Sequence, residues 1–390
     1  MEKFPKKLLN KLEQRRAENA FRQLSAPNNL IDFSSNDYLG FANATFIFNK
    51  THDLLIAHNL IKNGATGSRL LSGNHKLYNS IETLLCKFHA SEAALVFNSG
   101  YTANIGVFST LPQRGDIIIY DEFIHASIRD GISMSHAKAY KFKHNSIDDL
   151  QEMLKRVQHD NDNQHIYVVT ESVFSMDGDS PDLKLLTQFC NDNSIYLIVD
   201  EAHAVGVFGA NGEGLLQQLA LQDAVFARII TFGKALGSHG AAILGSEQLK
   251  AFLINFSRPL IYTTGLSPHT LATINTAYDL IQNTNNTPQI EKLHANIDHF
   301  NNTINRLKLT AHFIQSNSAI HCCIIPGNER VKNVAYELKE QGFDVKAILS
   351  PTVTKGQERL RFCLHIYNSK SEITKVLELL ATFVHNERNI

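Results

Sequence analysis

One lysine, Lys234, lies in TFGKALGSHGAAILGS (231–246) among small and apolar residues, between two apolar runs with strand character. A buried ammonium is costly unless it is paired, neutralised or chemically used. The plain alternative is a side chain that snorkels to solvent from a tight loop. The residues that follow the other apolar runs bear on this choice, because open α/β sheets bind ligands at the carboxyl ends of their strands. After IYLIV come Asp200, Glu201, Ala202 and His203; after ALVF come Asn98, Ser99, Gly100 and Tyr101. After IIIYDEF come His125 and Ser127, and after YVVTES come Ser175, Met176 and Asp177. Each has a structural alternative: Asp200 could cap a helix, His125 could be an ordinary half-buried histidine, and Ser99-Gly100 could be a plain turn. Those alternatives weaken together, since an amine, a carboxylate, imidazoles and a small-residue loop fall at one end of one expected sheet.

Asp-x-x-His, followed by a lysine that ends a later strand, suggests pyridoxal phosphate. Its aldehyde needs an amine, which Lys234 supplies. Its ring nitrogen needs a carboxylate that keeps it protonated as an electron sink, a task open to Asp200. Its phosphate needs backbone N–H groups at a helix start, which NSGYTAN provides through Ser99, Gly100 and Tyr101. Competing motifs are weak. GVFGANGEG follows Asp-Glu-Ala-His rather than a first strand, and no P-loop lysine follows it. No G-x-S-x-G elbow supports a Ser-His-Asp hydrolase.

The elements that must position these residues alternate. AALVFNSG, DIIIYDE, AYKFKH, HIYVVTES, IYLIVDEA, RIITFGK and GAAILGS read as strands buried on both faces. Helical stretches near 102–110, 127–136, 147–158 and 182–192 separate most of them. This predicts a mostly parallel seven-stranded sheet covered on both sides. Residues 3–24 read as a basic amphipathic helix, followed by an extended LIDFSSNDYLGF. Further helices are expected near 46–62 and 75–89, with a glycine-rich loop between them. Beyond a polar loop near 282–289, HFIQSNSAIHCCIIPG, FDVKAILSP and ERLRFCLHIY read as strands before a last helix near 370–386. The division expected is 1–45, 46–275 and 276–390: an N-terminal helix and extended segment, a large cofactor-binding domain, and a smaller α+β domain.

The 390 residues carry a formal charge of −1, are 43% hydrophobic and 19% charged, and exceed one small core. This balance gives no reason to expect nucleic acid or an anionic membrane as partner. Five cysteines without C-x-x-C pairing suggest reduced thiols in a cytoplasmic protein, with no metal site. The charged N-terminus has no apolar signal core, and no uncharged apolar run reaches the roughly 18 residues of a membrane span.

Taken with DFSSNDYLG (32–40), GSRLLSG (67–73), FNSGYTAN (97–104), DEFIHASIRDG (121–131), TESVFSMDGD (170–179), VDEAHAVGVFGANGEG (199–214), TFGKALGSHGAA (231–242) and RPLIYTTGLSP (258–268), the sequence resembles the α-oxoamine synthases. These are pyridoxal-phosphate enzymes of the aspartate-aminotransferase-like fold type I. The resemblance covers nearly the whole chain and implies the roles. Lys234 bonds the cofactor and moves the substrate Cα proton. Asp200 pairs with the ring nitrogen, His203 contacts the ring hydroxyl, His125 stacks on the ring, and Ser175 lies beside it. Thr231 and Ser99–Tyr101 hold the phosphate, and Thr264 reaches the phosphate in a neighbouring subunit of a homodimer with shared sites. Arg22, Asn36 and Arg361 lie on the substrate side, with Arg361 on the amino-acid carboxylate. The family usually has a longer segment between the counterpart of Arg22 and DFSSNDYLG; here only QLSAPNNLI bridges it, and a solvated basic helix face is the alternative for Arg22.

The implied reaction joins L-alanine to a pimeloyl thioester, carried by CoA or an acyl carrier protein, with loss of carbon dioxide. A sibling reaction, such as glycine with acetyl-CoA, differs only in substrates. A non-catalytic pyridoxal-phosphate-fold sensor is the alternative of another class. It is disfavoured because Lys234, Asp200, His203, His125 and Arg361 are all present without an appended DNA-binding segment.

Overall fold

The computed structural model describes residues 4–24, 26, 28–157, 164–282 and 287–385. The chain divides into two compact units. The larger comprises Asn36–Ser175 and Ser180–Lys292; the smaller comprises 1–35, Met176–Asp179 and 293–390. The sequence boundaries stood at 45/46 and 275/276, whereas the units change at 35/36 and 292/293, with a short excursion at Met176–Asp179.

After a two-residue strand β1 (Ile31–Asp32), the sheet of the larger unit takes seven strands. They are β2 (Ala93–Phe97), β3 (Ile117–Asp121), β4 (Lys138–Phe142), β5 (Ile166–Glu171), β6 (Tyr196–Asp200), β7 (Ala227–Thr231) and β8 (Ala241–Gly245). Their order is β2-β8-β7-β6-β5-β3-β4, and only β8 runs against the rest. Successive side chains alternate between faces, and both faces are apolar. Ile118, Val169, Ile198 and Ile229 join one core with Phe97, Val107 and Phe108. Ile117, Ile119, Val168, Leu197 and Val199 join another with Leu150, Leu154 and Leu186. Double burial explains why these strands read as continuous apolar runs.

Polar side chains fix where the covering helices begin. Asp182 accepts the Leu185 N–H at 3.0 Å and Ser246 accepts the Leu249 N–H at 3.1 Å. Beneath the strand ends lies a buried ion pair. Arg228 on β7 and Glu201, one residue beyond β6, are 2% and 0% exposed. Arg228 Nη2 sits 2.7 Å from Glu201 Oε2, and the same guanidinium donates to the carbonyls of His89 at 2.9 Å and Glu213 at 3.1 Å. Glu201 Oε1 also accepts the Leu216 N–H at 2.9 Å.

In the smaller unit, β1 pairs in parallel with β10 (Phe343–Asp344). A three-stranded antiparallel sheet holds β12 (Arg359–Cys363) between β11 (Lys346–Ile348) and β9 (Ile320–Ile324). Helices Asn328–Glu340 and Lys370–His385 belong to the same α+β unit. The N-terminal helix is shorter than expected, Lys6–Ala17, because it buries no residue and Asn19 turns to φ +53° just beyond it. The expected helices near 46–62 and 75–89 run Thr45–Ala57 and Lys76–Phe88. Of the expected elements, positions 3, 158, 283–286 and 386 lie outside the described residues. Among the described residues no helix is long and apolar enough to cross a membrane, and no cluster of ligand residues could hold a metal.

Glu201→Gln leaves the Arg228 guanidinium buried without its counter-charge. The expected loss is about 3–5 kcal/mol of unfolding free energy, read from denaturant midpoints. A change below about 1 kcal/mol would show that the pair is not what anchors the ends of β6 and β7.

Candidate active site

The parallel strands of the larger unit end along one edge, and most of the expected residues lie there. Lys234 sits in the turn between β7 and the reversed β8. The turn closes through Gly237 N–H to Lys234 C=O at 2.8 Å, Ser238 N–H to Phe232 C=O at 2.8 Å and Phe232 N–H to Gly240 C=O at 2.9 Å. Gly237 has φ +56°, and a Cβ there would collide with the backbone N of Ala42. Only glycine lets the lysine turn pack this closely on the Phe41–Ala42 backbone.

Asp200 ends β6 and is buried. Its Oδ1 accepts the Ala202 N–H at 2.9 Å and its Oδ2 accepts Asn104 Nδ2 at 2.9 Å. The same Asn104 nitrogen donates to Ser127 Oγ at 2.9 Å. Ser127 Oγ lies 2.7 Å from His125 Nδ1, which also accepts the Ser127 N–H at 3.2 Å. Because a backbone N–H points at Nδ1, that nitrogen is an acceptor, the Ser127 hydroxyl donates to it, and a neutral ring carries its hydrogen on Nε2. A continuous hydrogen-bonded line thus connects Asp200, Asn104, Ser127 and His125. His125 caps the helix Ala126–Met134 and keeps solvent access on one side. Desolvation of its packed edge lowers its pKa; Asp200 opposes this, and Lys234 reinforces it.

His203 is buried just past Asp200, and its Nδ1 shares a 2.7 Å hydrogen bond with the buried Tyr38 hydroxyl. Tyr38 also donates to Asn36 Oδ1 at 3.2 Å, so Asn36 joins the His203 side of the site. Ser175, also buried, lies at the end of this unit's first segment.

The loop after β2 starts the helix Gly100–Phe108 with a reciprocal cap. Ser99 Oγ accepts the Thr102 N–H at 3.1 Å, and Thr102 Oγ1 accepts the Ser99 N–H at 3.0 Å. Gly100 and Tyr101 therefore supply the first-turn N–H groups, the usual anion-binding feature of a helix start. The Tyr101 hydroxyl is committed elsewhere, to Asp130 Oδ2 at 2.6 Å. Thr231 Oγ1 lies 3.6 Å from where a Gly100 Cβ would stand, and it donates to the Gly240 carbonyl at 3.0 Å. Thr264 is exposed, and its carbonyl accepts Asn98 Nδ2 at 2.6 Å, beside the same loop.

Arg361 and Arg22 belong to the smaller unit. Arg361 is buried on β12, opposite Cys322, and donates from Nη1 to Cys363 Sγ at 2.9 Å. Its neighbour Arg359 is ion-paired with Asp177. Arg22 is exposed and donates to Thr352 Oγ1 at 3.3 Å. Sequence reasoning gave no role to Asn104, Ser127, Tyr38 or Glu171. All four lie inside motifs quoted above, so the signal was present, but an asparagine within a helix or a tyrosine after a strand carries no chemistry until its partner is known.

The donor set suits pyridoxal phosphate: an amine, a buried carboxylate held by two neutral donors, two imidazoles, and a helix start facing a threonine hydroxyl. The comparisons agree. The family model Aminotransferase class I and II matches residues 28–380. An 8-amino-7-oxononanoate synthase of Emericella nidulans is 39% identical over 376 residues, covering 92% of this chain and 90% of that protein. A solved 8-amino-7-oxononanoate synthase from Francisella tularensis is 29% identical with TM-score 0.77, covering 93% of this chain and all of that one. A serine palmitoyltransferase structure with pyridoxal phosphate is 25% identical with TM-score 0.87, over 99% and 98% of the two chains. The chain belongs to the α-oxoamine synthases, on the class I and II aminotransferase fold, and is a pyridoxal-phosphate-dependent enzyme of that family.

Proposed function

We propose that this enzyme condenses L-alanine with a pimeloyl thioester, releasing carbon dioxide and the free thiol and giving 8-amino-7-oxononanoate. What carries this is the convergence of Lys234, Asp200 and the Asn104–Ser127–His125 line at one sheet edge, in a chain 39% identical to a relative named for that product.

When bound, the cofactor supplies an electron sink for the pair left at the alanine Cα. Lys234 would hold the cofactor through its Nζ, and its amine would take the alanine Cα proton and later return it. Asp200 would keep a proton on the ring nitrogen. His203, His125 and Ser175 would hold the ring, His203 through its hydroxyl and His125 through its face. The Gly100 and Tyr101 N–H groups, Ser99 and Thr231 would bind the phosphate. Arg361 would hold the alanine carboxylate through two parallel N–H donors, with Asn36 and Arg22 also on the substrate side. The new carbon–carbon bond forms between Cα and the thioester carbonyl as the carbon–sulfur bond breaks, and the thiolate leaves. The β-keto acid then loses its carboxyl group as carbon dioxide. Thr264 completes the phosphate site of a second copy, in a cytoplasmic homodimer.

The test is thiol release measured with alanine, glycine and serine, each crossed with pimeloyl, acetyl and palmitoyl thioesters. Alanine with the pimeloyl thioester is expected to give the highest kcat/KM. Preference for glycine with acetyl-CoA, or serine with palmitoyl-CoA, moves the enzyme to a sibling reaction, and no release with any pair overturns the proposed reaction.

Lys234→Ala removes the proton-transfer group and should lower kcat by at least about 1,000-fold. Arg361→Lys keeps the charge but loses the planar fork, so the alanine KM should rise by about 10- to 100-fold while the thioester KM holds. A shift confined to the thioester would reassign Arg361.

The dimer should sediment as one species at assay concentration, and added pyridoxal phosphate should raise its Tm. A fully active monomer would remove Thr264 from the site.

A further inference from the structure

Three carboxylates stand at the carboxyl ends of three neighbouring strands. Asp121 ends β3, Glu171 ends β5 and Asp200 ends β6, and they are 0%, 3% and 5% exposed. Glu171 and Asp200 are register partners on parallel strands, so their side chains leave the same face of the sheet. Glu171 and Asp200 are thus two buried carboxylates side by side on one face, and a neighbouring like charge disfavours the ionised form of a buried acid.

The hydrogen bonds decide where the proton goes. Asp121 takes His144 Nδ1 at 2.9 Å, the Phe123 N–H at 2.8 Å and the Asn145 N–H at 2.8 Å. Asp200 takes Asn104 Nδ2 and the Ala202 N–H, both at 2.9 Å. Glu171, between them, takes the His125 N–H on Oε1 at 2.5 Å. Asp121 thus meets three donors and Asp200 two, whereas Glu171 meets a single backbone donor, which a neutral acid accepts equally well. Lys234 is the cation that acts on Glu171, and Asp200 and Asp121 oppose it.

We infer that Glu171 is a neutral carboxylic acid in the folded enzyme and a positioning residue. It puts no second negative charge beside Asp200, and it fixes the backbone of His125, the residue that caps its helix with its own ring. Burial, with Asp200 alongside, holds its carboxyl well above the usual carboxylate range. The inference rests on the proposed roles of Asp200 and His125 for its catalytic meaning, but not for the protonation itself.

The protonation is therefore tested on cofactor-free protein. Infrared spectra at neutral pH should show the carbonyl band of a neutral carboxylic acid, absent in Glu171→Gln. No such band, or one unchanged in that variant, overturns the inference. If Glu171→Gln does not fold, wild-type protein carrying 13C-labelled glutamate decides: the band must move to lower frequency, and a band that stays put overturns it. With pyridoxal phosphate bound, the amide mimics the neutral acid, so Glu171→Gln should keep the wild-type absorption spectrum and its pH midpoint, with kcat within about threefold. Glu171→Ala should release the His125 backbone and lower kcat about 10- to 100-fold. A displaced spectral midpoint in Glu171→Gln would show that a charge had been removed. Failure of wild-type protein to develop a cofactor spectrum would instead count against the proposed function and leave the infrared result standing.

Discussion

Burying charge at the carboxyl ends of parallel strands is the constraint on which the larger unit turns. Arg228 and Glu201 meet it in the simplest way, neutralising one another beneath the edge while carbonyls and a helix N–H take up the remaining donors and acceptors. That arrangement is costly to assemble and costlier to break from one side. Its place in the chain is what matters. Glu201 follows Asp200 directly, and Arg228 precedes Lys234 by one short strand end and a turn. The pair therefore fixes the relative height of the two strands that carry the carboxylate and the amine.

Above it, the same constraint is met with neutral donors. Asp200 is held by an amide and a backbone N–H, not by an arginine. Asn104 satisfies the second oxygen with a neutral donor, where an arginine would make another buried ion pair. The same amide then organises Ser127 and, through it, the His125 ring. One buried side chain thus sets the orientation of two groups on different elements.

Much of the large sheet was legible in the sequence because burial on both faces makes its strands read as apolar runs, and because the polar residues that interrupt those runs stand at the strand ends. The reversal of β8 was not, since GAAILGS has the same composition whichever way it runs. Nor were Asn104 and Glu171. Both are polar residues inside motifs whose chemistry seemed complete without them, and their meaning comes from register and from partners distant in the chain. The N-terminal helix shows the opposite error. A basic amphipathic pattern predicted 3–24, but with no buried residue to hold it the helix stops at Ala17, since helices in proteins owe most of their stability to a packed face.

Helix starts do two jobs here, and the difference lies in what caps them. At Ser99 the cap is closed reciprocally between two hydroxyl side chains, which take the N–H groups of Thr102 and Ser99 rather than those of Gly100 and Tyr101. At His125 the cap is an imidazole, and its own N–H is taken by Glu171. Using Nδ1 as the cap fixes the tautomer: the lone pair faces the helix and Nε2 keeps its hydrogen. A serine or aspartate would cap the helix as well, but would carry no ring. The residue thus has its backbone N–H and one ring nitrogen committed to structure.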